Sequence, residues 1–277
     1  MVRIYTDANI LRRFGSAFTT RTLPGDLSVQ LLVSPLALME VLSQLGTEDA
    51  QEAFNAVHAL PRVHNQGPTG VLPWSDDFFR MALFNQPPIE DVTTPLLNRA
   101  VNNVLNATGP EELRADGAEM RALLDREKNA AAENLTNLLT SWRSEGPLPE
   151  REHQAIFARS IARRAGVDEN SVDVDQVVSR LNAHYTFEKQ RVEAGSSNPD
   201  YNVSSRANDV YDAELLIYLA DPLLRLLTYD RGFRRARGSP QANRIHIETV
   251  NSLQDADRVT ETLRRIVERA EEESRQP

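Results

Sequence analysis

The chain contains no cysteine, which excludes disulfide bonds, thiolate metal sites and cysteine nucleophiles. It has no run of the roughly 20 apolar residues that a membrane helix needs, so no membrane partner is expected. The opening MVRIYTDANI also lacks the apolar core and cleavage site of a signal peptide. These absences predict a cytoplasmic protein in which a metal ion would bind through oxygen atoms or histidines. The five histidines show no ligand spacing, and we interpret them as structural.

The residues that are present have an ordinary globular composition with an acidic balance. The 277 residues, 40% hydrophobic and 26% charged, suffice for one large domain that carries a subdomain. Residues 46–199 hold 15 basic and 23 acidic residues (net −8), whereas the two ends hold 16 and 17 (net −1). Because several terminal acids are candidates for binding a cation, the net charge of −9 does not exclude a nucleic-acid partner.

Short apolar runs alternate with amphipathic segments at both ends of the chain. Strands are predicted at 3–6, 29–33, 71–73, 223–228 and 245–250. Helices are predicted at 8–14, 35–45, 48–60, 76–84, 208–220 and 252–273. Strands that alternate with helices are typical of a parallel sheet. The sequence therefore predicts an α/β fold with a central, mostly parallel sheet.

The central part of the chain has a different pattern, in which strand-like runs are absent. Helices are predicted at 92–107, 110–144, 149–165 and 173–195. This predicts a large all-helical insertion, residues 87–199, within a discontinuous domain formed by 1–86 and 200–277. The apolar stripe of 117–142 requires a packing partner. Surplus apolar surface on the insertion leaves a homodimer or a protein-partner interface open.

Four acidic residues lie near the predicted strand ends. Asp7 follows the first strand and Asp230 a later one, at the carboxyl edge where α/β proteins place their ligands. Glu40 lies in a helix that starts at this edge, and Asp212 lies in the first turn of another helix. Such a cluster would repel itself unless divalent cations neutralised it, and oxygen ligands suit Mg²⁺ or Mn²⁺.

Each acid also has a simpler interpretation. Asp7 and Asp230 could cap the turns after their strands, and Glu40 could be a solvated helix residue. Asp209 and Asp212 could be a helix cap and an acid favoured by the helix dipole. Their joint occurrence at one sheet edge favours a shared site.

In order, the acidic segments are IYTDANIL (4–11), SPLALMEVL (34–42), NDVYDAELL (208–216) and LTYDRGF (227–233). Together they resemble the PIN domain, a family of Mg²⁺/Mn²⁺-dependent nucleases that includes many bacterial toxins. The segment VLP (71–73) resembles the family's third strand. The resemblance covers about 1–86 and 200–250, and implies a PIN-like three-layer fold. The long helical insertion departs from the family pattern.

The resemblance implies a catalytic and metal-binding site formed by Asp7, Glu40, Asp212 and Asp230 that holds Mg²⁺ or Mn²⁺. Asp209 is a further metal-binding candidate, one turn before Asp212. The implied reaction is hydrolysis of RNA phosphodiester bonds, which leaves 5′-phosphate and 3′-hydroxyl ends. Three polar residues are candidates for orienting the carboxylates through hydrogen bonds, with ordinary strand-end polar residues as the alternative. They are Thr6, Asn9 and Thr228.

Arginines close to the acidic residues are candidates for binding nucleic acid, because guanidinium groups suit phosphate oxygens. They are Arg12, Arg13, Arg231, Arg234, Arg235 and Arg237. Surface ion pairing is the alternative role. The expected partner is single-stranded or structured RNA.

The sequence is compatible with more than one function. The leading hypothesis is an endoribonuclease, either an RNA-processing enzyme or a toxin with a cognate antitoxin. The alternative is a catalytically inactive PIN-like scaffold whose insertion mediates protein–protein interaction. Another Mg²⁺-dependent phosphotransfer enzyme is disfavoured, because the sequence has no Asp-x-Asp pair after the first strand and no glycine-rich phosphate loop.

Overall fold

A four-stranded parallel sheet forms the centre of the computed structural model, which describes residues 1–63, 70–84, 93–146, 148–198, 200–203 and 208–275. Its strands are β1 (Val2–Thr6), β2 (Val29–Val33), β3 (Leu224–Thr228) and β4 (Ile245–Ile247). They lie in the order β2-β1-β3-β4, and each neighbouring pair is parallel. The predicted α/β class with a central parallel sheet is therefore confirmed.

The α-helices of the described residues are α1 (Ala8–Ala17), α2 (Pro35–Leu42), α3 (Ala50–Val63), α4 (Ser75–Phe84), α5 (Thr93–Asn106), α6 (Arg114–Glu145), α7 (Glu150–Arg164), α8 (Val174–Arg180), α9 (Asn182–Ser197), α10 (Asn208–Ile217) and α11 (Ala256–Arg275). Short 3₁₀ segments join several of them.

Successive strand residues face opposite sides of the sheet, and helices cover both sides. On one side, Ile4 and Leu227 pack in a cluster with residues of α1, α3 and α11. On the other, Tyr5 and Leu226 pack with residues of α4, α7, α8, α9 and α10. Burial on both faces explains why the strands are apolar runs rather than alternating ones.

Two local sequence signals determine where α1 and α2 begin. Asp7 caps α1, since its side chain accepts a hydrogen bond from the backbone N–H of Ile10 at 2.8 Å. Ser34 caps α2 in the same way, and Pro35 occupies its first position. Both helices therefore begin at the carboxyl edge of the sheet.

Several predicted elements are wrong in extent; the strand predicted at 245–250, for example, covers only Ile245–Ile247. The predicted strand 71–73 is reduced to one parallel bridge between Val33 and Val71, because β2 ends at Val33 and α2 begins at Pro35, so no extended partner continues the ladder. The predicted helix 173–195 is two helices that break at Leu181. At this break, the buried side chain of Gln241 accepts from the N–H of Ala183 and donates to carbonyl groups at the end of α8.

Helices of the predicted insertion share buried clusters with the terminal segments. Leu124 of α6 packs in one cluster with Leu38 and Val41 of α2. Phe157 and Ile161 of α7 belong to the cluster that contains the strand residues of β1 and β3.

Within the described ranges, no helix combines the length and the apolarity needed to cross a lipid bilayer.

Candidate functional site

A cleft of about 100 Å³ opens at the carboxyl edge of the sheet, and all four predicted acids line it. Asp7 follows β1, Asp230 follows the neighbouring β3, Glu40 comes from α2 and Asp212 from α10. The remaining lining residues are Ala8, Asn9, Leu36, Ala37, Tyr211 and Leu215. Four segments far apart in the chain thus bring their carboxylates to one small cavity.

Asp7 is the most enclosed of these acids, with 6% of its surface exposed. The pKa of its carboxyl group is raised from 3.8 to about 6, chiefly by burial. Hydrogen bonds from Thr228 and Ile10 oppose this rise, and the negative charges of Glu40 and Asp230 add to it. A positive charge in the cleft would oppose this rise.

Thr228 links two of the acids. Its hydroxyl donates a hydrogen bond to Asp7 Oδ2 and accepts one from the backbone N–H of Asp230 at 2.9 Å. Asp230 Oδ1 in turn accepts from the N–H of Gly232 at 2.6 Å. Thr228 therefore contacts both the side chain of Asp7 and the backbone of Asp230.

Glu40 lies close to an arginine of the same chain. Its Oε1 lies 3.7 Å from a guanidinium nitrogen of Arg12, and Arg12 also donates to the amide oxygen of Asn9 at 2.8 Å. The predicted role of Asn9 in orienting a carboxylate is thus indirect, because its amide contacts Arg12. The guanidinium of Arg12 therefore lies beside Glu40, where its positive charge offsets that of the carboxylate. In this arrangement Arg12 is not available to bind a phosphate group.

The carboxylates are not pre-arranged as a ligand set. In the part of the chain that the structure describes, no three His, Asp or Glu side chains are positioned to hold a metal ion as they stand. Both oxygens of Asp7 and one of Asp230 accept hydrogen bonds, and Glu40 faces Arg12. The donor set nevertheless fits a hard cation such as Mg²⁺ or Mn²⁺, because it consists of carboxylate oxygens.

Two predicted polar residues have other outcomes. The predicted hydrogen bond from Thr6 is not formed, since its buried hydroxyl has no partner within the described ranges of the chain. Thr6 alternates with Tyr5 along β1 and lies on the sheet face of Ile4, which packs against apolar residues. The side chain of Asp209 lies outside the described residues, so its comparison with Asp212 stays a prediction.

The arginines predicted to bind nucleic acid lie in different environments. Arg231 and Arg234 are exposed in the 3₁₀ segment directly after Asp230, and Arg13 is half-buried in α1. The guanidinium of Arg235 lies 5.5 Å from the ring centre of Phe187. The last of the group, Arg237, lines a different cavity that shares no residue with the cleft.

The sequence did not reveal a larger groove, of about 650 Å³, that adjoins the cleft. Leu36 and Tyr211 line both cavities. The groove is mostly apolar, and it also contains Glu214, which pairs with Arg164 at 2.6 Å and accepts a hydrogen bond from Ser75. Since these residues come from four helices, only the tertiary structure brings them together.

Comparison with protein-family models, with curated proteins and with solved structures gives no match for this chain.

Proposed function

We propose that the chain is a Mg²⁺- or Mn²⁺-dependent endoribonuclease with a PIN-like three-layer fold. The observation that carries this proposal is the cleft in which Asp7, Glu40, Asp212 and Asp230 converge from four separate segments. Acids that only cap their helices or face solvent need not share a cavity. Burial raises the pKa of Asp7, the charges of Glu40 and Asp230 add to the rise, and a cation in the cleft would offset both effects.

The four carboxylates would hold one or two cations at the sheet edge. A divalent ion there would supply an activated water and would stabilise the charge of a phosphodiester under attack. Thr228 would fix the orientation of Asp7 through its hydroxyl group. Glu40 would exchange its 3.7 Å contact with Arg12 for the cation, which would release a guanidinium group at the rim of the cleft.

RNA is the proposed substrate, and the exposed arginines nearby support it. Arg231 and Arg234 lie in the 3₁₀ segment that follows Asp230, and both are exposed. Their guanidinium groups would contact backbone phosphates beside the bond to be cleaved. An RNA-processing enzyme and a toxin held by an antitoxin both fit this activity.

The apolar groove beside the cleft favours a second candidate, a scaffold whose insertion binds another protein. Leu138 and Ile156, two of its lining residues, are 38% and 43% exposed. Exposed apolar residues around a groove are typical of protein-binding surfaces. An inactive scaffold would have no need to keep repelling carboxylates in one cleft, so we rank it second.

A cleavage assay separates the two candidates. Labelled single-stranded RNA and DNA are incubated with the protein and Mn²⁺ or Mg²⁺, beside Asp7→Asn and Asp230→Asn variants. Asp26→Asn is the matched control, because Asp26 is an exposed aspartate outside the cleft. We expect the wild type and the control to cut RNA to 5′-phosphate products, and both cleft variants to be inactive. Cleavage retained by the cleft variants would refute the proposal, and the absence of both cleavage and Mn²⁺ binding would favour the scaffold.

A further inference from the structure

A second polar cavity, of about 340 Å³, lies beside the edge strand β4 and shares no lining residue with the acidic cleft. It is lined by β4, α11 and the 3₁₀ segment after Asp230. Three of its lining residues are the arginines Arg237, Arg265 and Arg269, and one, Glu248, is an acid. The charges of the lining residues are therefore predominantly positive.

Glu248 neutralises the charge of only one of the three arginines. Glu248 pairs with Arg265 at 3.0 Å. Arg237 and Arg269 are exposed and form no ion pair with the residues that the structure describes. The guanidinium groups of Arg237 and Arg269 thus line the cavity with N–H groups available to a ligand. Paired guanidinium groups of this kind bind phosphate oxygens.

A buried histidine lines the same cavity. His246 is 5% exposed, and its Nε2 has no hydrogen-bond partner among the described residues. An unpaired polar atom in a buried place is costly unless a ligand or a water satisfies it. The surrounding apolar residues are Phe233, Ala242, Ile245, Ile247 and Ile266.

We infer that this cavity binds a phosphorylated nucleotide, with the phosphate on Arg237 and Arg269 and the nucleoside against the apolar wall. The volume is that of a small-molecule site, and the excess of positive charge selects an anion. A free nucleotide and a nucleotide within an RNA chain offer the same chemistry. RNA as the source rests on the proposed function, whereas the anion site itself does not.

Calorimetric titration of the protein in EDTA tests the inference without cleavage. The probes are AMP, inorganic phosphate, adenosine and a single-stranded RNA tetramer. We expect AMP to bind at least tenfold more tightly than adenosine, since the phosphate supplies the charge-assisted contacts. Displacement of AMP by the tetramer would identify RNA as the source, and failure to displace it would identify a free nucleotide.

The decisive comparison uses two arginines of one helix. Arg269→Ala should weaken AMP binding about tenfold. Arg264→Ala, an equal change of charge at an exposed position outside the cavity, should leave it unchanged. No AMP binding, or equal losses in both variants, would overturn the inference.

An Asp7→Asn variant separates this site from the nuclease proposal. It should bind AMP as the wild type does, because Asp7 does not line this cavity. Loss of AMP binding in that variant would place the phosphate in the acidic cleft and overturn the inference. A protein that binds AMP here yet never cuts RNA would refute only the nuclease.

Discussion

Replacing Asp7 by asparagine should stabilise the metal-free protein. The pKa of Asp7 rises from 3.8 to about 6 on folding, chiefly through burial. Since one unit of pKa corresponds to about 1.4 kcal/mol, the charged carboxylate costs the folded state up to about 3 kcal/mol at neutral pH. Asparagine carries no charge, but it satisfies the hydrogen bonds of Ile10 and Thr228 less well. We therefore expect a net gain of about 1 to 2 kcal/mol in the free energy of unfolding.

The gain should depend on pH with a defined sign. The folded protein binds the Asp7 proton more tightly than the unfolded chain, so this group makes stability fall as pH rises from 3.8 to about 6. The advantage of Asp7→Asn should therefore be complete above pH 6 and absent below 3.8.

Urea unfolding in EDTA, at pH 7.5 and pH 4, measures both quantities. Asp26→Asn is again the control, because Asp26 is exposed and its replacement should change stability by less than about 0.5 kcal/mol. An Asp7→Asn variant that is no more stable than the wild type at pH 7.5 would refute the electrostatic argument. Addition of Mn²⁺ should reverse the order, since only the wild type retains the full ligand set.

Four further outcomes are expected. Thr228→Val should lower Mn²⁺ affinity by about 10- to 100-fold in a calorimetric titration, because it removes the donor that orients Asp7. Mn²⁺ affinity of the wild type should fall as pH drops below about 6, the pKa of Asp7 in the metal-free protein. Gly15→Ala should cost about 1 to 3 kcal/mol in urea unfolding, since an added Cβ would lie 2.5 Å from the backbone nitrogen of Ala56. Glu214→Gln should cost about 1 to 3 kcal/mol in the same assay, because it leaves its arginine partner uncompensated.

Local signals explain the parts of the fold that the sequence could predict. Ser34 and Pro35 mark the start of α2 because a cap and a fixed φ act within one turn. The break between α8 and α9 could not be predicted in this way. It depends on Gln241, which lies about sixty residues later in the chain and takes over backbone hydrogen bonds at the break.

The same distinction holds for the candidate site. Asp7 and Asp230 follow neighbouring parallel strands, so the topology alone predicts that they meet at one edge. The contact of Arg12 with Glu40 depends on how α1 and α2 pack, which no local pattern specifies. Similarly, the cavity beside β4 joins Arg237 to residues of α11, and only the packed structure reveals it.

Binding of Mn²⁺, followed by the loss of the electron paramagnetic resonance signal of the free ion, tests the shared cation site most directly. The wild type and Asp26→Asn should bind Mn²⁺ with the same affinity. Asp7→Asn, Glu40→Gln, Asp212→Asn and Asp230→Asn should each weaken binding by at least about tenfold, since each removes one ligand. A wild type that binds no Mn²⁺, or four variants that bind it as tightly as the control, would contradict a metal centre in this cleft.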